Sequence, residues 1–134
     1  MSSLEGKVAV IAAAGSGIGR RSALALAQAG AYAACIDIDA AEIASRGGLA
    51  SAHAADLSDV AQIRAVVAEI DALVDGVDVL FNNVGMPNPH GIEGITEDQW
   101  QQAIDVNLKS GFFMTQAVLP LMRATGRGGS IIFT

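Results

Sequence analysis

Short apolar runs alternate along the chain with longer segments in which apolar residues recur every three or four positions. The first pattern suits strands buried on both faces, and the second suits helices that cover them. Val8 to Ala13 reads as the first strand, and the glycine-rich turn after it leads into a helix carrying Ile18, Ala23, Leu24, Leu26 and Ala27, stopped by Gly30. A second strand is predicted over Ala31 to Asp37. A short helix around Ala40 to Ser45 and a Gly47-Gly48 break then lead to a weak third strand near Ser51 to Ala55.

Ser58 or Asp59 can cap the next helix, in which Val60, Ile63, Val66, Val67, Ile70, Leu73 and Val74 fall on one face. Val77 to Phe81 follows as the fourth strand. The stretch from Asn82 to Ile95 holds three glycines and two prolines and reads as a loop. Thr96 and Gln99 have capping-box spacing, so a long helix is predicted from near Glu97 to about Arg123, with Pro120 kinking or tightening its last turns. Gly126 to Gly129 lead into a terminal strand, Ser130 to Phe133. No repeat, low-complexity tract or charge block interrupts this order. With right-handed crossovers it predicts the α/β class, a doubly wound parallel sheet.

Composition narrows the picture. A chain of 134 residues is long enough for one compact domain and too short for two ordinary ones, so residues 1–134 are expected to form a single domain. With 51% hydrophobic but only 4% aromatic residues, its core must be aliphatic. A net charge of -6 with 8 basic residues argues against nucleic acid or an anionic membrane as the main partner, so any phosphate must be held by local means. The lone cysteine, Cys35, reads as a buried hydrophobe in a reducing compartment. No leader-like segment or membrane-length apolar run stands in the sequence, and the expected location is cytoplasmic. His53 and His90 look isolated and fit no ligand pattern, so no metal site is expected.

The main chemical signal is Ala12-Ala13-Ala14-Gly15-Ser16-Gly17-Ile18-Gly19-Arg20, set between a predicted strand and a predicted helix. Glycines there allow a tight turn and close approach of a pyrophosphate, whose charge the free N–H groups and dipole of the helix start would stabilise. Asp37 closes the second strand, where a carboxylate can accept hydrogen bonds from adenosine ribose hydroxyls. It would repel a 2′-phosphate, so NAD is favoured over NADP. Either feature alone could be a plain turn or the start of a surface loop; together they form a dinucleotide fingerprint. Arg20 and Arg21 suit a solvated or salt-bridged helix face and are left out of the site.

On these residues, together with Ala55-Asp56-Leu57, Asn82-Asn83-Val84-Gly85 and Asp105-Val106-Asn107-Leu108, the chain resembles the short-chain dehydrogenase/reductase family from Lys7 to Thr134. The resemblance implies a Rossmann-type fold, with the family's TGxxxGxG turn on Ala12 to Gly19, its adenine-contacting acid on Asp56 and its NNAG motif on Asn82 to Gly85. The implied cofactor-binding set is Gly15, Ser16, Gly17, Ile18, Gly19, Asp37, Asp56, Leu57, Asn82, Val84, Gly85 and Val106. Asn107 is the implied catalytic residue, placed where the family holds a water of its proton relay. Read on its own, Asp56 could meet an adenine amino group or cap the following helix. Asn82 to Gly85 leaves a strand at the edge where ligands lie, so its backbone can flank a cofactor while its amides brace the strands. Asn107 is a poor helix former, and its position suggests a local distortion.

The chain also departs from the family pattern. Ala12 and Ala13 replace Thr-Gly, and Val84 replaces a small Ala. If position 13 needs positive φ, alanine there costs on the order of 1 kcal/mol. The family's catalytic Ser and YxxxK motif are not found: Tyr32, the only tyrosine, has Ile36 four residues on, and neither Lys7 nor Lys109 pairs with a tyrosine. The expectation is therefore an NAD-binding half, incomplete at its C-terminus relative to the family. It would serve hydride transfer between nicotinamide and a small alcohol or carbonyl only if completed. The alternative is a non-catalytic nucleotide-binding or self-associating module. Ile104, Leu108, Phe112, Phe113, Val118, Leu121 and Met122 make the helix over 97–123 more apolar than one covered face requires, which predicts a homo-oligomer. A third possibility is a piece of a longer product.

Overall fold

The computed structural model describes residues 3–41 and 51–134. Five strands, β1 (Val8–Ala12), β2 (Tyr32–Asp37), β3 (Ser51–Ala54), β4 (Val79–Asn82) and β5 (Ser130–Phe133), form one parallel sheet in the order β3-β2-β1-β4-β5. The helices are α1 (Gly17–Gln28), α2 (Val60–Asp71), α3 (Glu97–Ile104) and α4 (Ser110–Ala124), with a π-helical turn, Asp105–Lys109, joining the last two. The strand order runs outward from β1 in both directions. β1 and β4 therefore flank the point at which the winding reverses.

Successive strand residues point to opposite faces, and both faces are covered over β1, β2 and β4, whereas β5 is exposed. On one, Val10, Ala12, Ala34, Ile36 and Leu80 pack with Ile63, Val66, Val67 and Ile70 of α2 and with Met114, Val118 and Met122 of α4. On the other, Ala9, Ile11, Ala33, Cys35 and Phe81 cluster with Ala23 of α1. The small side chains of the second face let α1 lie close to the sheet. Burial pushes the Cys35 thiol up to about 11, so it is an unreactive core residue at neutral pH.

The doubly wound parallel sheet predicted from the hydrophobic pattern is present. Asp59, rather than Ser58, caps α2, accepting from the Ala61 N–H at 2.9 Å. Leu73 was expected on the buried face of α2 but is exposed, because the helix ends at Asp71. The capping box at Thr96 and Gln99 is formed, with reciprocal bonds of 3.0 and 3.2 Å. One expectation is corrected: the segment from Glu97 to Arg123 is not a continuous α-helix, since the π-helical turn interrupts it at Asp105–Lys109. Past that turn, α4 runs through Pro120 to Ala124. The helix predicted around Ala40 to Ser45 enters residues 42–50, and these, with the Gly47-Gly48 break, lie outside the described residues. Among the described residues, no helix is long and apolar enough to cross a membrane.

Asp78, which sequence patterning gave no reason to single out, ties three strands together at the amino-terminal edge of the sheet. Its buried carboxylate accepts from the Val8 N–H at 2.9 Å and from Arg127 Nε and Nη2 at 3.1 and 2.9 Å, with Lys7 Nζ at 3.6 Å. Burial works to raise its pKa, but the Val8 and Arg127 hydrogen bonds and the nearby cations outweigh it and hold the carboxyl below its ordinary value. A carboxyl depressed in the folded state stabilises the fold above its unfolded pKa of about 3.9 and loses that contribution as pH falls through the folded value. Asp78→Asn should therefore lower stability at neutral pH by about 1–2 kcal/mol, allowing for the half-exposed Arg127. Melting curves from pH 7 down to pH 2 should show the gap to the unmodified chain closing at the acid end.

Candidate functional site

The carboxyl ends of β1, β2, β3 and β4 converge on one edge of the sheet. There a cleft of about 480 Å³, open to solvent, is lined by Ala13, Asp37, Ile38, Ala55, Asp56, Leu57, Ser58, Val84 and Val106. Sequence reading named five of these, Asp37, Asp56, Leu57, Val84 and Val106, and the fold brings them together from four separate segments.

The turn between β1 and α1 forms one wall. Ala13 adopts φ +56° and is the one non-glycine residue with positive φ among those described. Gly17 also has positive φ, and a Cβ there would meet nothing within 4 Å, so this backbone faces open space. Gly19 is different: a Cβ would overlap the Ala13 carbonyl oxygen and stand 2.7 Å from Asn83 Nδ2. No side chain caps α1 at Ser16. Ser16, Gly17 and Ile18 are exposed, so the uncapped start of the helix presents its N–H groups and positive dipole end beside the cleft. Such a terminus fits a phosphate.

Two carboxylates flank the cleft. Asp37 Oδ2 accepts from the Gly15 N–H at 2.8 Å and Oδ1 from the Asp39 N–H at 3.1 Å. Asp56 Oδ1 accepts from both the N–H and the hydroxyl of Ser58, at 2.9 and 2.7 Å, and the Ser58 hydroxyl bond is the main reason its carboxyl lies below its ordinary pKa. These bonds settle one alternative: Asp56 holds the β3–α2 turn, and Asp59 does the capping. Among the described residues, no cation lines the cleft.

The remaining predicted residues stand apart from the cleft wall. Asn82 is buried, and its Nδ2 donates to Thr115 Oγ1 of α4 at 3.3 Å. Its partner Asn83 accepts from the Thr134 hydroxyl at 3.1 Å. These amides brace β4 against α4 and the end of β5. Gly85 leaves 3.4 Å between a hypothetical Cβ and Asn107 Oδ1. Asn107 lies in the π-helical turn, accepting from the Met86 N–H at 2.7 Å and donating to the Met86 carbonyl at 3.1 Å. The distortion expected at Asn107 is thus present, and its carboxamide ties the helix to the loop after β4.

His53 is not isolated as its sequence context suggested. It is buried, with Nε2 2.9 Å from Ser51 Oγ and Nδ1 3.2 Å from Glu69 Oε2. His90, in the exposed loop, meets Gln99 Nε2 at 3.1 Å. Among the described residues, no three His, Cys, Asp or Glu side chains are grouped to hold a metal. Of the helix residues expected to be surplus to the core, Val118 and Met122 belong to it, whereas Leu108 and Phe112 are 66% and 62% exposed.

A family model described as short chain dehydrogenase matches residues 7–134. Galactitol 2-dehydrogenase of Agrobacterium fabrum is 42% identical over 133 residues, covering 96% of this chain and 52% of that protein. 2-Keto-3-deoxy-L-fuconate dehydrogenase of Xanthomonas campestris is 39% identical over 128 residues, covering 96% of this chain and 42% of that protein. The crystal structure of 3-ketoacyl-(acyl-carrier-protein) reductase from Brucella melitensis complexed with NADH superposes with a TM-score of 0.89 at 32% identity, covering 98% of this chain and 57% of that one. The chain spans about half the length of these relatives and matches their dinucleotide-binding half.

The left-handed conformation of Ala13 gives a direct prediction. Ala13→Gly should stabilise the chain by about 0.5 kcal/mol, the net of a penalty of roughly 1–2 kcal/mol for a Cβ at positive φ and the roughly 0.4–1 kcal/mol cost of glycine's greater unfolded-state entropy. Chemical denaturation should show the higher midpoint with an unchanged slope.

Proposed function

We propose that this chain, which belongs to the short-chain dehydrogenase family, binds NAD in preference to NADP and forms the cofactor seat for hydride transfer at a small alcohol or carbonyl. The observation that carries the cofactor preference is the cleft itself: Asp37 and Asp56 face a space in which, among the described residues, no cation stands to balance a 2′-phosphate. A nicotinamide cofactor belongs to the family as a class; the preference for NAD rests on these two carboxylates.

In this reading Gly15, Ser16, Gly17, Ile18 and Gly19 bring the start of α1 to the pyrophosphate. Gly17 leaves the approach open and Gly19 keeps the turn tight. Asp37 accepts the adenosine ribose hydroxyls. Asp56, Leu57, Val84 and Val106 surround the adenine, and Asn82 and Gly85 hold the backbone that flanks the cofactor. Asn107 is the proposed catalytic contribution of this segment, its side chain fixed on Met86 so that the π-helical turn can hold a water of the proton relay. When bound, the nicotinamide accepts or delivers the hydride. Residues 1–134 act as one NAD-binding domain of a cytoplasmic protein. Relatives named for galactitol and for a keto-deoxy sugar acid favour a small hydroxylated substrate for the whole protein.

The acid/base group is another matter, since none of the 134 residues forms a Tyr-x-x-x-Lys pair. Titration of the chain with NADH should enhance nicotinamide fluorescence, with NADPH binding at least tenfold more weakly, a like-charge effect. No carbonyl should be reduced by these residues alone. Equal affinity for the two cofactors would overturn the NAD assignment.

We further propose that a second copy of the chain covers Trp100, Leu108 and Phe112. These exposed apolar side chains lie along α3, the π-helical turn and α4, and the neighbouring charges, Asp105 and Lys109, are paired with each other at 3.0 Å. Sedimentation velocity should show a dimer or larger species that Phe112→Glu converts to monomer; a monomeric unmodified chain at tens of micromolar would overturn the proposal.

A further inference from the structure

Gly15 precedes Gly17 and Gly19, the two glycines that shape the β1–α1 turn, but the reason for glycine there is different. Its backbone is outside the left-handed region. What it lacks room for is a side chain: a Cβ would stand 2.7 Å from Asp37 Cγ and 2.8 and 3.1 Å from the two carboxylate oxygens. Non-bonded carbons settle near 3.5–4.0 Å, so a methyl group would displace the carboxylate by on the order of 1 Å. The Gly15 N–H is also one of the two backbone donors that orient Asp37, the other being that of Asp39. Each carboxylate oxygen takes one of these bonds and keeps a further acceptor site.

We propose that Gly15 is a positioning residue for cofactor selectivity: its bare Cα and its N–H seat the Asp37 carboxylate against the β1–α1 turn. Held there, Asp37 can accept from the ribose hydroxyls and oppose a 2′-phosphate. This rests on the reading of Asp37 as the ribose-binding group. The contact is with the end of a side chain, not with backbone, so a methyl group at residue 15 can be accommodated by swinging Asp37 away. Selectivity should then change with little cost to the fold. Gly19, where the collision is with the Ala13 carbonyl, offers no such outlet.

The test is calorimetric titration of the unmodified chain, Gly15→Ala, Asp37→Asn and the double variant with ADP-ribose and with 2′-phospho-ADP-ribose. Gly15→Ala should melt within a few degrees of the unmodified chain and reduce the preference for ADP-ribose about tenfold, the size of effect a displaced like charge can produce. Asp37→Asn should reduce the preference at least as far, and the double variant no further than Asp37→Asn, because both substitutions act through one carboxylate. If Asp37→Asn removes the preference and Gly15→Ala leaves it intact, the positioning role is wrong and the reading of Asp37 stands. If Gly15→Ala weakens both ligands equally, residue 15 serves the phosphate seat and the proposal is overturned. If neither substitution moves the ratio, or the unmodified chain binds neither ligand, the Asp37 reading falls and the proposal with it.

Discussion

The close packing of Gly19 against the Ala13 carbonyl and the Asn83 side chain fixes the geometry on which the rest of the cleft depends. With no Cβ at residue 19, the chain can leave β1, reverse within a few residues and start α1 over the strand ends. That reversal places an uncapped helix start beside the point where the strand order changes direction, between β1 and β4. It also brings the Gly15 N–H across to Asp37, at the end of the neighbouring strand. A looser turn would lose both arrangements together, since one backbone path carries them.

The two edges of the sheet divide the work. At the amino-terminal edge, Asp78 satisfies the Val8 N–H and gathers Arg127 and Lys7, a buried carboxylate with charged and backbone donors around it. Its bonds join segments far apart in sequence. At the carboxyl edge, the carboxylates of Asp37 and Asp56 are also hydrogen-bonded, but by donors from nearby turns, and both line open space. Similar side chains thus stabilise one edge and define a cleft at the other. Parallel strands account for the contrast: every strand delivers its carboxyl end, with the turn that follows, to the same side.

Much of this was legible in the sequence because it is local. The capping box needs only Thr96 and Gln99, the turn needs glycines within a few residues, and the strands declare themselves as short apolar runs with Asp37 closing the second. The features that escaped are those completed by distant partners. Nothing beside Asp78 in sequence announces Arg127, and His53 gains its place from Glu69 on a helix packed near β3. Asn107 is intermediate. Its presence in a helical stretch signalled a distortion, but the continuous helix drawn through it was wrong, because the Met86 backbone that its carboxamide holds belongs to a loop whose course no periodicity describes.

The departure from the family's glycine pattern has a physical logic of its own. At residue 19 a side chain would meet backbone, a collision that no rotamer change can relieve, and glycine is kept. Residue 17 also keeps glycine, at positive φ beside open space. At residue 13 the difficulty is conformational only, on the order of 1 kcal/mol for a Cβ in the left-handed region, and here the chain carries alanine. A domain held by two aliphatic clusters can absorb that cost, whereas it could not absorb the loss of the turn at Gly19. Ala13 also lines the cleft, so the tolerated strain lies in the wall of the site and not in the core. The substitution therefore has more room to alter the fit of a cofactor than to alter the fold.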